Sequence, residues 1–331
     1  MRLLLRCAPT AIIAALVLGG CSSGDDGDGA VSDDGAPVAS STRVVDTEHG
    51  EVNIPAAPER IVVLNSALAG YFYALDVPLH GTIPINTEAD EFPELWAEQA
   101  AAAGTLMVPW SNDGFDLEAL LAEGPDLIVG GGQGFPGSQA ADAYDQLSEI
   151  APTVLVSSTL TTWQEELDYI ADEILGVPER AGELLATYEN RVAEVRDTIE
   201  LPPTPVSYLM TLPDLRPWSI PETASLPVTL EAVGLEPYPI IEENPDFELY
   251  GSGDSFELST EQVGQVFVTP TVFVLGFQSD VIGVDELAEN RVYASLPSFE
   301  SGHAYHLPFW AHRADYYATM ALLDHIEGLF G

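Results

Sequence analysis

Short aliphatic runs recur along this chain and divide it. Ile61-Val62-Val63-Leu64, Asp126-Leu127-Ile128-Val129 and Thr153-Val154-Leu155-Val156 show no polar alternation, so each is expected to be a strand buried on both faces. Between the first two, Leu117, Leu120 and Leu121 fall on one face of a short helix. The same alternation returns near residue 203. Val206 to Met210 and Thr271 to Leu275 are expected as buried strands, Thr229 to Val233 as part of a helix stopped by Gly234, and His303 to Leu307 as a late strand. Asp315 to Leu329 carries a final amphipathic helix. Two blocks of strand–helix alternation predict two α/β lobes with largely parallel sheets.

The segment between the blocks has a different period. Leu167, Ile170, Ala171, Ile174 and Leu175 have helical spacing, Gly176 ends that run, and Pro178 suits the first turn of a new helix. Ala181, Leu184, Leu185, Tyr188, Val192, Val195 and Ile199 continue the apolar stripe to Pro202-Pro203. Helical throughout, these segments would span roughly 50 Å at about 1.5 Å per residue, a spine joining the lobes. The alternative is two ordinary helices packed on one lobe. The expected organisation is a leader at 1–20, a tether at 21–43, a first lobe at 44–160, the spine at 161–202 and a second lobe at 203–331.

The leader has Arg2 and Arg6 before an apolar run from Ala11 to Leu18, too short for a bilayer that needs roughly 20 residues. It ends in Leu18-Gly19-Gly20-Cys21, the small-residue pattern of a lipoprotein cleavage site, with Cys21 as the acylated residue. The alternative is an ordinary signal peptide with a chance cysteine. Cys7, the other of the 2 cysteines, would leave with the leader, so no intramolecular disulfide and no thiolate metal site is expected. Residues 22–42, rich in Gly, Ser, Asp and Ala, bury too little to fold and are expected to be a flexible tether. The chain has 10 basic residues, all arginine, against 53 acidic ones, a formal net charge of −43. That balance excludes nucleic acid as a partner, because phosphate binding needs a basic surface.

Several stretches, in order, resemble the class III substrate-binding proteins of iron-siderophore and cobalamin importers. They are Pro58 to Leu64, Phe115 to Leu120 followed by Gly124 to Val129, Leu147 to Val154, Leu258 to Val263, and Leu296-Pro297-Ser298 to His303-Ala304-Tyr305. The similarity runs from about residue 43 to 331 and rests on the order of these segments rather than on one motif. It implies an α/β fold of two Rossmann-like lobes joined by a long helical spine, with a ligand cleft between them that closes by only a few degrees. It also implies a monomeric, membrane-anchored component of an ABC importer, held extracytoplasmically, that passes a ferric siderophore to a permease and ATPase complex. Ferric iron would enter only within the siderophore, with no resident cofactor. By the resemblance, Glu118 and Glu261 dock onto arginines of the permease, one from each lobe. The alternative for both is a solvated acid stabilising the positive end of a helix.

Arg216 and Arg313, in Leu215-Arg216-Pro217-Trp218 and Trp310-Ala311-His312-Arg313, are the candidate ligand-binding cations. A guanidinium offers a planar fork of donors to carboxylate, catecholate or hydroxamate oxygens, and Trp218 and Trp310 would pack on the ligand. The alternative for each arginine is a surface ion pair. Tyr71, Trp110, Phe135 and Tyr316 are further aromatic candidates, each also readable as core. Gly130 to Gly134 follows a strand but lacks the lysine of a P-loop, so it is expected to be a cleft-edge loop whose glycines adopt positive φ. His303, His306 and His312 raise a metal site, which the opposite-face spacing of the first two argues against.

Other ligands in the same role would be haem, cobalamin, a ferric carboxylate or a metal ion. A surface sensor or adhesion module is a different reading. A secreted hydrolase is a third, for which the chain offers neither a Gly-x-Ser-x-Gly elbow nor a His-Glu-x-x-His pair.

Overall fold

The computed structural model describes residues 41–250, 253–277 and 282–331. The leader, Cys21 and most of the tether lie outside the described residues. The first described element is an antiparallel hairpin, β1 (Thr42–Thr47) and β2 (Gly50–Pro55), in which only Val45 and Ile54 are buried. Three parallel strands follow, β3 (Ile61–Val63), β4 (Gly81–Thr82) and β5 (Leu106–Met107), then a small hairpin of β6 (Trp110–Ser111) and β7 (Gly114–Phe115). β8 (Leu127–Gly131) and β9 (Thr153–Val156) complete a five-stranded sheet in the order β5-β4-β3-β8-β9, parallel throughout. The aliphatic runs are these strands, and every residue of β3, β8 and β9 is buried, as both-face burial requires.

The second sheet has the order β12-β11-β10-β13-β14, where β10 is Val206–Thr211, β11 Pro217–Ser219, β12 Phe256–Glu257, β13 Thr271–Gly276 and β14 Ala304–His306. β10, β13 and β14 run parallel, and β11 and β12 extend the edge antiparallel. In the first sheet the strand order reverses between β3 and β8. That is the switch point, where a crevice opens at the carboxyl ends of the strands.

The spine is two segments rather than one 50 Å rod. Helix Trp163–Tyr169 passes into a π-helical turn at Ile170–Leu175, and Gly176 stops it in the left-handed conformation at φ 69°. Helix Pro178–Thr198 then runs for 21 residues, about 31 Å, with Ala181, Leu184, Tyr188, Val192 and Val195 buried. It packs on the C-terminal helix Tyr316–Phe330, and Arg191 ties the two by pairing with Asp324 and Glu327, each at 2.6 Å. One continuous cluster of buried side chains passes from Val63 and Val129 through Trp163 and Tyr188 to Tyr208 and Phe273. The lobes therefore share a core, and the described residues form one compact unit.

Candidate functional site

The carboxyl edges of both sheets feed the crevice. After β3 the chain turns at Asn65, whose side chain caps helix Ser66–Ala74 by accepting from the Ala67 amide at 3.1 Å. Its Nδ2 donates to the Gly131 and Gln133 carbonyls at 2.8 and 3.0 Å and fixes the loop after β8. Gly131, Gly132 and Gly134 of that loop have φ of 78°, 70° and 87°, the left-handed conformation expected of the glycine run. From the other lobe come Phe277 after β13 and the segment Phe309–Arg313 after β14.

Arg313 lines two roomy cavities. One, of about 100 Å³, is walled by Phe277, Phe309, Trp310, Ile85 and Trp96, with Asn65 and Gln133 as polar points. The other, of about 380 Å³, lies over the glycine loop against Phe135, Tyr250, His49 and Glu48. Arg313 reaches across to the first lobe. A Cβ on Gly134 would stand 2.6 Å from its Nη1, so glycine there makes room for the guanidinium.

Arg313 is 18% exposed, and its Nε donates to Asp254 Oδ2 at 2.6 Å, while Asp254 is 3% exposed. Burial alone would raise the Asp254 pKa, yet His312, Arg313 and a bond from Ser255 together hold it below the usual carboxylate range. Burial, aided by Arg313, pushes the His312 pKa down to about 4 against the pull of Asp254. The imidazole is therefore neutral at physiological pH, and there Arg313 is the charge that keeps Asp254 ionised. Glu166 faces the same guanidinium from the spine. Burial pushes its carboxyl up to about 7, although Tyr71 Oη donates to Oε2 at 2.9 Å and Arg313 favours the anion. The residue keeps some surface overall, but its carboxyl group is enclosed. Asp315, raised by burial to about 6, caps helix Tyr316–Phe330 by accepting from the Ala318 amide at 2.9 Å. Its carboxylate occupies the space a Cβ on Gly70 would need, bringing the two helices together.

The expected site residues separate into two groups. Arg313, Trp310 and Phe135 line the cavities. Trp218 stands behind them, stacked on Phe277 at 6.4 Å and edge-on to Tyr250 at 5.3 Å. Four others stand in different surroundings. Arg216 is 51% exposed and paired with Asp214 at 2.7 Å and Glu257 at 3.6 Å, the surface ion pair that was its alternative, and it is not among the residues lining these cavities. Tyr71 is wholly buried because helix Ser66–Ala74 is covered on nearly every side, and only its hydroxyl takes part, through Glu166. Trp110 is core, its Nε1 donating to Gln139 at 2.6 Å. Tyr316 packs against Trp163 at 6.1 Å beside the spine. Asp254 and Glu166 were not anticipated, since among 53 acids nothing local marks them.

Glu118 and Glu261 hold the same place in each lobe. Each is the exposed second residue of a seven-residue helix, Leu117–Glu123 and Thr260–Val266, leading into the fourth strand of its sheet order. Asp116 and Ser259 cap those helices. His303 and His306 do not converge with His312, and among the described residues no cluster of three or more His, Cys, Asp or Glu could hold a metal. No helix among them is long and apolar enough to cross a membrane.

Two α/β lobes with a shared core and a cleft at their carboxyl edges define a two-lobed binding protein. Residues 61–311 match the family model described as periplasmic binding protein, and the chain belongs to that family. It is 29% identical over 297 residues to the ferric enterobactin-binding periplasmic protein FepB of Escherichia coli O6:H1, covering 87% of this chain and 91% of that protein. Its fold is similar to that of holo-ViuP, with a TM-score of 0.75 and 22% identity over 87% of this chain and 95% of that one. It is also similar to Staphylococcus aureus SirA complexed with staphyloferrin B, with a TM-score of 0.68 and 19% identity over 88% and 99%.

Proposed function

We propose that this chain is the substrate-binding lipoprotein of an ABC importer, which captures a ferric siderophore in the cleft at Arg313 and delivers it to a membrane permease. The observation that carries this reading is the cleft itself. It joins aromatic walls to one half-buried, pre-oriented guanidinium at the switch point of a parallel sheet, where small ligands bind. The family membership and the names of relatives such as FepB support iron chelates as the ligand class. Cys21 would hold the body at the extracytoplasmic face. Glu118 and Glu261, one exposed carboxylate per lobe, would give the permease a two-point contact that sets orientation and encounter rate.

The test is tryptophan fluorescence of the full-length protein in detergent, titrated with ferric siderophores, haem, cobalamin and zinc. Saturable quenching by a ferric siderophore, weakened in Arg313→Ala, is the expected result. Binding of haem or cobalamin alone would keep the importer role and replace the ligand. A flat response to the whole panel would sink the reading.

A further inference from the structure

The charge of the cleft follows from a short inventory. The chain has no lysine, and its 10 basic residues are all arginines. Among the described residues, Arg43 and Arg60 bond to the Ile174 and Gly124 carbonyls, and Arg180 and Arg191 pair with carboxylates along the spine. Arg196 and Arg291 stand exposed on helices, and Arg216 is held by two acids at the surface. Arg313 is the one arginine among the described residues that lines these cavities. The undescribed stretches at 251–252 and 278–281 read Gly-Ser and Gln-Ser-Asp-Val, so they add no cation to the composition.

Carboxylates outnumber that single charge. Asp254 is bonded to Arg313 at 2.6 Å, Asp315 lines the cavity of about 100 Å³, and Glu166, about half ionised at neutral pH with its pKa raised to about 7, shares a third, small cavity with Arg313. Glu48 and Asp142 line the larger one. His312 beside them, its pKa pushed down to about 4 by burial, adds no positive charge at neutral pH. The distant acidic surface is screened within a Debye length of about 8 Å in physiological salt. The enclosed Asp254 and Asp315 are screened far less, whereas Glu48 and Asp142 stand exposed at the rim and act on a highly charged ligand through solvent at short range.

Ferric chelates differ in the quantity this arrangement reads. Three hydroxamates neutralise ferric iron and leave an uncharged complex. Three catecholates leave a triply negative one, and polycarboxylates also leave anions. We propose that the cleft selects ferric chelates without net negative charge, taking the tris-hydroxamate type over the tris-catecholate type. This rests on the chelate-binding reading above and narrows it. Arg313 donates one edge of its fork to a hydroxamate oxygen while Nε keeps Asp254, so the pair stays neutral as a unit. The uncharged Phe309, Trp310, Asn65 and Gln133 surface meets the chelate's alkyl and amide periphery. Selection works through repulsion as much as attraction, because the cleft acids act against the wrong ligand.

The experiment compares dissociation constants of the full-length protein in detergent for ferrichrome, ferric enterobactin and ferric citrate, at neutral pH and physiological salt. Ferrichrome is expected to bind at least about a hundredfold more tightly than ferric enterobactin, some 2.7 kcal/mol. Asp254→Asn, checked for folding by circular dichroism, should narrow that ratio by about tenfold. Glu166→Gln, which leaves the Asp254–Arg313 pair in place, should narrow it in the same direction. Equal or tighter binding of either anionic chelate, or a ratio unmoved in both variants, overturns the charge selection and leaves the chelate-binding reading standing. Failure of every ferric chelate to bind overturns both.

Discussion

Replacing Arg313 by methionine keeps the stem of the side chain and removes the charge, which isolates the ion pair with Asp254. Asp254 is 3% exposed and would be left as a buried carboxylate with no cation. Breaking a buried pair from one side typically costs about 3–5 kcal/mol. Arg313 is 18% exposed and Asp254 retains the Ser255 hydroxyl at 3.2 Å, so the low end of that range, about 3 kcal/mol, is expected. At about 2.1 cal/mol/K per residue over roughly 290 residues, or about 1.6 °C per kcal/mol, the melting temperature should fall by about 5 °C.

The double variant Arg313→Met/Asp254→Asn removes the stranded charge as well and should recover at least half of the loss. The pH dependence has a definite sign. The folded pKa of Asp254 lies below its unfolded value of about 3.9, so the pair's contribution is present above that value and is lost as pH falls through the folded pKa. In the single variant burial dominates and pushes the carboxyl up. The gap between wild type and Arg313→Met is therefore widest at neutral pH and closes in the acid range below about 4. Thermal unfolding followed by circular dichroism reads all of these quantities. A single variant as stable as wild type at neutral pH, or a double variant no more stable than the single, would refute the reasoning.

Gly134→Ala places a methyl 2.6 Å from Arg313 Nη1 at a φ of 87°, so it should lower stability by about 1–3 kcal/mol and weaken ligand binding, measured by melting and by fluorescence titration. The carboxyls of Glu166 and Asp315 have folded pKa values raised to about 7 and about 6. Their contribution is greatest below the unfolded values near 4 and declines as pH rises through the folded ones. Glu166→Gln should therefore flatten the loss of stability between about pH 4 and 7 in a series of melts. Glu118→Ala and Glu261→Ala should each cut uptake of the ligand by cells roughly tenfold, with little change in its affinity for the purified protein. Affinity falling in step with uptake would count against a docking role.

The strands were readable because a strand covered on both faces needs aliphatic side chains at successive positions, and Ile61 to Val63 or Thr153 to Val156 supply little else. The break at Gly176 and restart at Pro178 followed from backbone conformation, which glycine and proline declare locally. The β1–β2 hairpin escaped because it buries only Val45 and Ile54, leaving no strong period. The site was less accessible. Arg216 and Arg313 sit in similar loop contexts with a tryptophan nearby; Arg216 is held at the surface by the local Asp214, whereas the partner of Arg313, Asp254, is 59 residues away in sequence. Tyr71 and Trp110 show that an aromatic side chain near a sheet edge does not reveal which way it faces. Glu166 lies 95 residues from the tyrosine that bonds it, a contact that local pattern cannot express.

The central claim is that a ferric chelate sits between the carboxyl edges of the two sheets, in reach of Arg313. Crystals of the protein grown with a ferric siderophore and measured at the iron absorption edge would locate the metal directly. One anomalous peak is expected in the cleft, bounded by the Gly131–Gly134 loop on one side and the Phe309–Arg313 segment on the other. A peak elsewhere on the molecule, or a chelate held without any contact to Arg313, would contradict it.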